Sequence, residues 1–257
     1  MDDIRIQIVN FKTKRYLLEC LASVAEDLKS FSDKYSVAIL DNASGDDLSD
    51  LSSQFPQLKI EIHQTEKNLG FGAGHNLLAK QGEAQWLLLL NPDMRFIQPE
   101  TIRRLICCAR DSQADVVGPR LQTEQGTTQW WDHGELHGLR AWVALNSGNS
   151  FWQERKELTS VAWVSGAVFL ISKDKFDWLG GFDEQFFLYK EEEELCWRFR
   201  ATGGKVVYDP TITVFHHGGV VAKKSECIEK SVAYFLEEHF KNRRSYPLLK
   251  ILNRMMH

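Results

Sequence analysis

The sequence predicts an α/β fold in which helices flank a Rossmann-like, mostly parallel central sheet. The chain has 257 residues, 43% of them hydrophobic, which is enough to bury a sizeable core. Short β-rich runs alternate with helical patterns along the N-terminal half, and such alternation is typical of βαβ units with parallel strands. The run WLLLL at 86–90 is apolar throughout, as expected for a strand covered on both faces.

The elements of the N-terminal half follow from local patterns. β-branched and aliphatic runs bounded by polar residues indicate strands, and longer mixed segments indicate helices. The predicted strands are 4–9, 36–40, Lys59–Ile62 and 86–90, and the predicted helices lie near 14–30 and Ala73–Lys80.

The C-terminal half contains a glycine-interrupted apolar strand, an aromatic turn and then four successive glutamates, all between Trp163 and Arg198. The aromatic residues should hold the local backbone against a core; they are Phe182, Phe186, Phe187 and Tyr189. A further strand is predicted at 211–215, and the pattern becomes helical and basic from Lys230 onward.

Composition excludes several classes of protein. A net charge of −4, without a zinc-finger or RNP-like motif, argues against a nucleic-acid partner. The five cysteines include no C-x-x-C pair, so a reducing cytosol fits better than an oxidising compartment. Asp2 and Asp3 stand where a signal peptide needs positive charge, and the longest apolar stretch, Val161–Ile171, is too short to span a bilayer. We therefore expect a protein that is neither exported nor integral to a membrane.

Polar side chains follow three of the predicted parallel strands. They are Asn10, then Asp41 and Asn42, then Asn91 and Asp93. Open parallel sheets bind ligands beyond the carboxyl ends of their strands, so these residues predict a crevice with two carboxylates facing it. The alternative is turn and helix-cap chemistry, which favours the same residue types.

A glycine-rich segment, Asn68 to Asn76, precedes the second predicted helix. Its spacing differs from G-x-G-x-x-G, and it follows the third strand rather than the first, so a nicotinamide site is not indicated. The segment is still consistent with a glycine-rich turn packed near a nucleotide.

The glutamate run Glu191–Glu194 has two interpretations. It could supply a general base at the mouth of the aromatic turn. It could also be the acidic first turn of a solvated helix, with Glu194 and Arg198 as an i,i+4 pair.

Taken together, these segments resemble family 2 glycosyltransferases of the GT-A fold, and most of all the rhamnosyltransferase-like members that extend bacterial surface polysaccharides. The matching pieces, in order, are IVNF (8–11), LDNASGDD (40–47), NLGFGAGHN (68–76), LLLLNPDM (87–94), VSGAVFLIS (164–172), GGFDEQFFLYKEEEEL (180–195) and DPTITVFHHGG (209–219). The resemblance implies a GT-A domain over 1–225, with a nucleotide-binding half to about 118 and a smaller antiparallel, acceptor-side half over 119–225. A helical basic tail would occupy 226–257.

The resemblance also implies roles for individual residues. The nucleotide sugar would be bound by Asn10, Asp41, Asn42, Asn68, Gly70, Gly72, Asn76 and Asn91. Asp93 and His216 would hold Mn²⁺ or Mg²⁺, with diphosphate and water as further ligands because Asn-Pro-Asp supplies one carboxylate where many relatives have Asp-x-Asp. His216 has a structural alternative as a hydrogen-bonded residue at a strand end. Val220 and Val221 stand where the family has a hydroxyl residue, which leaves one diphosphate contact unsupplied.

Glu192 aligns with the aspartate that serves as base in the family, and Glu191 is the alternative. Acceptor residues would be Trp163, Gly166 and Tyr189. A variable stretch from Gly118-Pro119-Arg120 to about Ser160, which contains Trp130, Trp131 and Trp142, would be an acceptor-side region or an oligomer contact.

The implied function is an inverting, metal-dependent transfer of a sugar, with dTDP-rhamnose as the expected donor, to a saccharide acceptor of an O-antigen or capsule. A UDP-hexose donor and a non-catalytic, nucleotide-sugar-binding subunit remain alternatives, whereas a nucleotidyltransferase would want glycine after the first strand. The protein is expected in the cytoplasm. The basic tail could contact a membrane carrying a lipid-linked acceptor, dock on its own domain, or join a second subunit in a homo-oligomer.

Overall fold

A computed structural model describes residues 3–219 and 224–256 of the chain. The strands are β1 (Asp3–Asn10), β2 (Lys34–Asp41), β3 (Ile60–Gln64), β4 (Trp86–Leu90), β5 (Met94–Phe96), β6 (Val116–Gln122), β7 (His133–Gly134), β8 (Thr159–Ser160), β9 (Trp163–Val164), β10 (Val168–Ser172) and β11 (Val206–His216). The helices are α1 (Lys14–Asp27), α2 (Leu51–Gln54), α3 (Phe71–Ala79), α4 (Thr101–Ser112), α5 (Leu139–Asn146), α6 (Lys173–Trp178), α7 (Glu191–Ala201), α8 (Lys224–Phe240) and α9 (Tyr246–Met256), and a 3₁₀ turn at Leu28–Ser30 continues α1.

Nine strands of the described residues form one sheet, in the order β3-β2-β1-β4-β10-β6-β11-β5 with β8 paired to β11. The first four of these strands are parallel, so their carboxyl ends meet at one edge. Strand β10 is antiparallel to β4. A separate antiparallel pair, β7 and β9, lies outside this sheet. The predicted α/β fold with a smaller antiparallel part is confirmed.

Hydrophobic cores on both faces of the sheet explain the apolar run of β4. Leu88 packs in a cluster with Leu17 of α1, whereas the neighbouring Leu87 packs in a second cluster with Leu195 of α7. Successive side chains of a strand point to opposite faces, so a strand with helices on both sides needs apolar residues at every position. All five residues of β4 are buried.

The first three residues of the expected variable stretch, Gly118-Pro119-Arg120, lie in strand β6. Pro119 is tolerated there because β10 pairs with β6 at Val116 and Val117, before the proline, whose missing N–H would otherwise break the ladder.

The C-terminal helices pack on the rest of the chain. Phe235 and Phe240 of α8 form a core cluster with Phe186, and Trp197 of α7 packs against it. Docking of the tail on its own domain, one of the three expected arrangements, is therefore observed for α8. No helix in the described part of the chain is long and apolar enough to cross a bilayer. The prediction about Val220 and Val221 lies outside the described residues.

Candidate active site

A cleft of about 670 Å³ opens at the carboxyl ends of the parallel strands. Its wall includes Asn42 after β2, Asp93 after β4 and Glu192 in the first turn of α7. The sheet topology alone brings the first two together, because β2 and β4 both flank β1 and run parallel to it. The cleft therefore joins the predicted nucleotide, metal and base residues in one cavity.

Asn42 and Asn68 organise the side of the cleft that is predicted to bind the nucleotide. The Asn42 side-chain amide donates to Asn68 Oδ1 at 2.9 Å and to the Gly70 carbonyl at 3.1 Å, and its own oxygen accepts from the Leu69 N–H at 2.8 Å. Gly70 has a φ of +87°, and a Cβ there would lie 2.2 Å from the carbonyl oxygen of Phe187. Glycine is required at this turn for both reasons. Asn42, Asn68, Gly70 and Asn91 all line the cleft, as predicted.

Four other predicted nucleotide residues are not part of the described cleft wall. Asn10 donates to Ser44 Oγ and Asp46, and Asp41 Oδ1 accepts from the Ser44 N–H at 3.0 Å. The Asp41–Ser44 bond is the turn chemistry that the alternative predicts, whereas Asn10, at the end of β1, ties the loop after β2 to its neighbouring strand. Of the other two residues, Gly72 packs against the Phe182 side chain, and Asn76 hydrogen-bonds to the Phe182 backbone.

Asp93 and His216 form a polar corner of the cleft. Asp93 Oδ1 lies 3.3 Å from His216 Nε2, and Asp93 Oδ2 accepts from the Gly218 N–H at 3.1 Å. Burial raises the pKa of Asp93, but the hydrogen bond and charge of His216 and the Gly218 N–H outweigh it, so the net pKa lies below the ordinary value. The carboxylate is therefore held in its ionised form.

Gln129 fixes the state of the imidazole. Its side-chain nitrogen donates to the His216 carbonyl at 2.7 Å, which leaves its oxygen to accept from His216 Nδ1 at 2.9 Å. The Nδ1 atom is therefore a proton donor. Nε2 faces Asp93: with a proton it makes the charged contact to that carboxylate, and without one it presents a lone pair for a cation. The Asn91 amide nitrogen lies 3.3 Å from the same Nε2 atom.

This corner fits a divalent cation. Two ligands at right angles on an octahedral ion with bonds of about 2.1 Å lie about 3 Å apart, close to the 3.3 Å between Asp93 Oδ1 and His216 Nε2. Among the described residues no group of three or more His, Cys, Asp or Glu side chains could hold a metal ion. The protein would thus offer two ligands and leave the remaining positions to the substrate and water.

Replacing Gln129 by Leu should weaken Mn²⁺ binding about 10- to 100-fold, as is usual when the partner of a ligating histidine is lost. Electron paramagnetic resonance of free Mn²⁺ in the presence of UDP measures the affinity. Nitrogen NMR of the imidazole should show His216 changing from the Nδ1–H form to a mixture of tautomers. Unchanged affinity and an unchanged tautomer would contradict this role of Gln129.

The four glutamates of the run Glu191–Glu194 have different surroundings. Glu194 makes a two-pronged pair with Arg198, at 2.7 Å for each bond, and Glu193 pairs with Lys190 at 2.8 Å. These two are structural, as expected for an acidic first helical turn. Glu193 also lines the cleft, together with Glu191 and Glu192.

Two of the cleft glutamates have perturbed acidities. Burial, together with the nearby Glu193 charge, raises the pKa of Glu192 to about 7. Burial and the Glu192 charge raise the pKa of Glu191 well above its ordinary value, and Glu191 Oε2 has no hydrogen-bond partner in the described part of the protein. A carboxylate with a pKa near neutrality is suited to accept a proton at physiological pH.

Glu191 should make stability depend on pH. A carboxyl group whose pKa is raised by folding contributes stability at low pH and loses it as the pH rises through the folded-state pKa. We expect Glu191→Gln to have an unfolding free energy about 1–3 kcal/mol above wild type at pH 8, and little changed at pH 5. Urea denaturation at the two pH values measures this. Glu193→Gln, which loses an ion pair, is the control and should gain nothing at pH 8.

The predicted acceptor residues Trp163, Gly166 and Tyr189 also line the cleft. Sequence reasoning missed Trp152, Ser150 and Ser165, which line it too, and it missed Gln129. The sequence did indicate tryptophans on the acceptor side, because Trp130 and Trp131 lie in the stretch predicted to be acceptor-side. No local pattern distinguishes Gln129.

Comparison with known proteins agrees with this geometry. A family model described as Glycosyl transferase family 2 matches residues 6–179. An N-acetylglucosaminyl-diphospho-decaprenol L-rhamnosyltransferase of Mycobacterium tuberculosis is 29% identical over 206 residues, which are 71% of this chain and 66% of the relative. The O-antigen biosynthesis protein RfbC of Myxococcus xanthus is 28% identical over 158 residues, or 57% of this chain and 12% of the relative.

A solved structure shares the fold. The crystal structure of GalNAc-T7 with UDP, GalNAc and Mn²⁺ superimposes with a TM-score of 0.71 at 15% identity, covering 92% of this chain and 48% of that one. The chain thus spans at most about two thirds of the length of these three proteins. The family match covers more than half of the chain, so the protein belongs to glycosyltransferase family 2 and has the GT-A fold.

Proposed function

We propose that the protein transfers a sugar, with inversion and with the help of a divalent cation, from a nucleotide diphosphate sugar to a saccharide acceptor. The observation that carries this proposal is that one cleft contains Glu192, the Asp93–His216 corner and the asparagines after β2 and β3. A transferase of this kind needs a proton acceptor and a site for the departing diphosphate in the same cavity.

In the proposed mechanism, Asn42 and Asn68 would bind the nucleotide, and Asp93 and His216 would hold Mn²⁺ or Mg²⁺. The bound cation supplies Lewis-acid stabilisation of the charge on the departing diphosphate. Glu192 accepts the proton of the acceptor hydroxyl while that oxygen attacks the anomeric carbon. Attack on the face opposite the leaving group inverts the configuration in one displacement.

The donor we propose is dTDP-rhamnose, and the product would be part of a bacterial surface polysaccharide. The names of the mycobacterial and myxobacterial relatives support this choice. UDP-hexoses remain the alternative, because sugars that differ by a hydroxyl are distinguished by a few pocket contacts. We propose a cytoplasmic enzyme whose basic tail contacts the membrane; Leu248 and Ile251 of α9 are exposed beside Lys250.

Isothermal titration with dTDP-rhamnose, UDP-glucose, UDP-galactose and UDP-N-acetylglucosamine tests the proposal, each with Mn²⁺ and with chelator. We expect dTDP-rhamnose to bind most tightly and only with the metal. Preferential binding of a UDP-hexose would replace the donor and keep the reaction. Failure of every donor in both conditions would contradict the proposed function.

A further inference from the structure

Four tryptophans line one wall of the cleft, and this wall reaches the Asp93–His216 corner where Trp131 and His216 flank Gly218. They are Trp130, Trp131, Trp152 and Trp163. We propose that this aromatic wall is the acceptor subsite and that it takes an uncharged saccharide by stacking on its pyranose rings. The inference rests on the proposed function and specifies the chemical class of the acceptor.

A buried polar network holds Trp152 in place. Asp132 is 1% exposed, and one of its oxygens accepts from the indole N–H of Trp152 at 2.9 Å and lies 2.7 Å from His133 Nδ1. Its other oxygen accepts from the Tyr208 hydroxyl at 2.7 Å. Burying a carboxylate is costly unless several donors surround it, so the network fixes the geometry around it. Trp152 is therefore preorganised before any ligand arrives.

Trp163 is anchored in a similar way. Its indole N–H donates to Ser150 Oγ at 2.8 Å, and that hydroxyl donates to Glu193 Oε2 at 2.7 Å. The indole N–H groups of Trp152 and Trp163 are thus both engaged by the protein. Trp163 is only 7% exposed and packs in a core cluster, so it supports the wall from behind. The partly exposed Trp152 offers a ligand ring surface, which matches the apolar C–H face of a sugar.

The aromatic wall lies next to the proposed base. Ser150 connects Trp163 to Glu193, the residue after Glu192, and the Gly166 backbone hydrogen-bonds to Glu192. A sugar ring held by this wall would thus lie beside the carboxylate that we propose removes the proton from its hydroxyl.

Charge on this side of the cleft argues for a neutral ligand. Glu191, Glu192 and Glu193 line it, and among the described lining residues Lys190 is the one lysine or arginine. Lys190 is already paired with Glu193 at 2.8 Å. A carboxylate or phosphate on the reacting sugar would lie near acidic side chains without a lysine or arginine to pair with. Like charges repel, so a charged sugar would be disfavoured.

Saturation-transfer NMR in the presence of UDP and Mg²⁺ tests the subsite. The probes are methyl glucoside, methyl rhamnoside, lactose and N,N'-diacetylchitobiose as neutral sugars, and methyl glucuronide as the anionic match of methyl glucoside. We expect saturation of the C–H protons of one sugar face, and weaker transfer to the glucuronide than to the glucoside. Trp152→Ala should lower the saccharide affinity about tenfold.

Two exposed tryptophans provide a matched pair that avoids the core. Trp130 in the cleft wall and Trp142 on α5 are each 62% exposed. Trp130→Ala should weaken saccharide binding several-fold, whereas Trp142→Ala should not, and neither should change the UDP affinity. Equal effects of the two variants, tighter binding of the glucuronide, or a wild-type protein that binds UDP but no neutral saccharide would overturn the inference. A wild-type protein that binds saccharide but no nucleotide would instead overturn the proposed function.

Discussion

Replacing Glu192 by Gln should lower the rate of sugar transfer about 100- to 10,000-fold, the range over which general-base catalysis contributes. Gln has nearly the same shape as Glu but cannot accept the proton of the acceptor hydroxyl. The affinity for the nucleotide should change little, because the substitution keeps the shape of the side chain and Asn42 is held by Asn68, Leu69 and Gly70. Release of the nucleoside diphosphate from the donor, measured with and without saccharide acceptors, gives the rate.

Two controls make the Glu192 result specific. Glu194→Gln removes a carboxylate from the same helical turn, but that carboxylate is paired with Arg198 outside the described cleft wall, so any loss of rate should follow the loss of stability. The wild-type rate should also rise with pH through about 7, because Glu192 acts in its ionised form. A Glu192→Gln rate within about tenfold of wild type would refute its role as base and favour Glu191. Absence of transfer by the wild-type protein would instead favour a non-catalytic subunit.

Replacing Asp93 by Asn should abolish metal-dependent nucleotide binding. The change keeps the size of the side chain and removes the negative charge that faces His216 Nε2 at 3.3 Å. We expect the affinity for UDP in the presence of Mn²⁺ to fall about 100-fold, and the transfer rate to fall at least as far. Titration calorimetry with and without chelator measures the metal-dependent part.

Asp177→Asn is the matched control for Asp93→Asn, because Asp177 is half-exposed and pairs with the buried Lys173 on α6, outside the described cleft wall. It should leave UDP binding and its response to Mn²⁺ unchanged. If Asp93→Asn still bound UDP more tightly with Mn²⁺ than with chelator, by the same factor as wild type, the metal site would have to lie elsewhere.

Local pattern predicted the parallel half of the sheet well, for a physical reason. Strands buried on both faces must be apolar at every position, so β4 is visible in the sequence as Trp86–Leu90. The bounds of α3 shifted from Ala73 to Phe71 because Gly70 adopts a positive φ and ends the preceding loop there. Strands of two or three residues, such as β5, β7 and β9, are too short to show any periodicity.

The site was predictable only in part, because a side chain at the end of a strand can face the cleft or hydrogen-bond to a neighbouring loop. Asn42 and Asp93 face the cleft, but Asn10 and Asp41 both bond to the loop after β2, through Ser44 and Asp46 for Asn10 and through Ser44 for Asp41. Both outcomes use the same residue types, so the sequence cannot separate them. Gln129 is 87 positions from the histidine that it orients, and a contact at that separation is set by the folded sheet.

The most direct test of the proposed mechanism is a crystal structure with Mn²⁺ and the donor that binds most tightly. We predict the cation between Asp93 and His216 Nε2, the diphosphate on the cation, and the anomeric carbon between the diphosphate and Glu192. A donor bound outside this cleft, or one whose diphosphate lies on the same side of the anomeric carbon as Glu192, would contradict the mechanism.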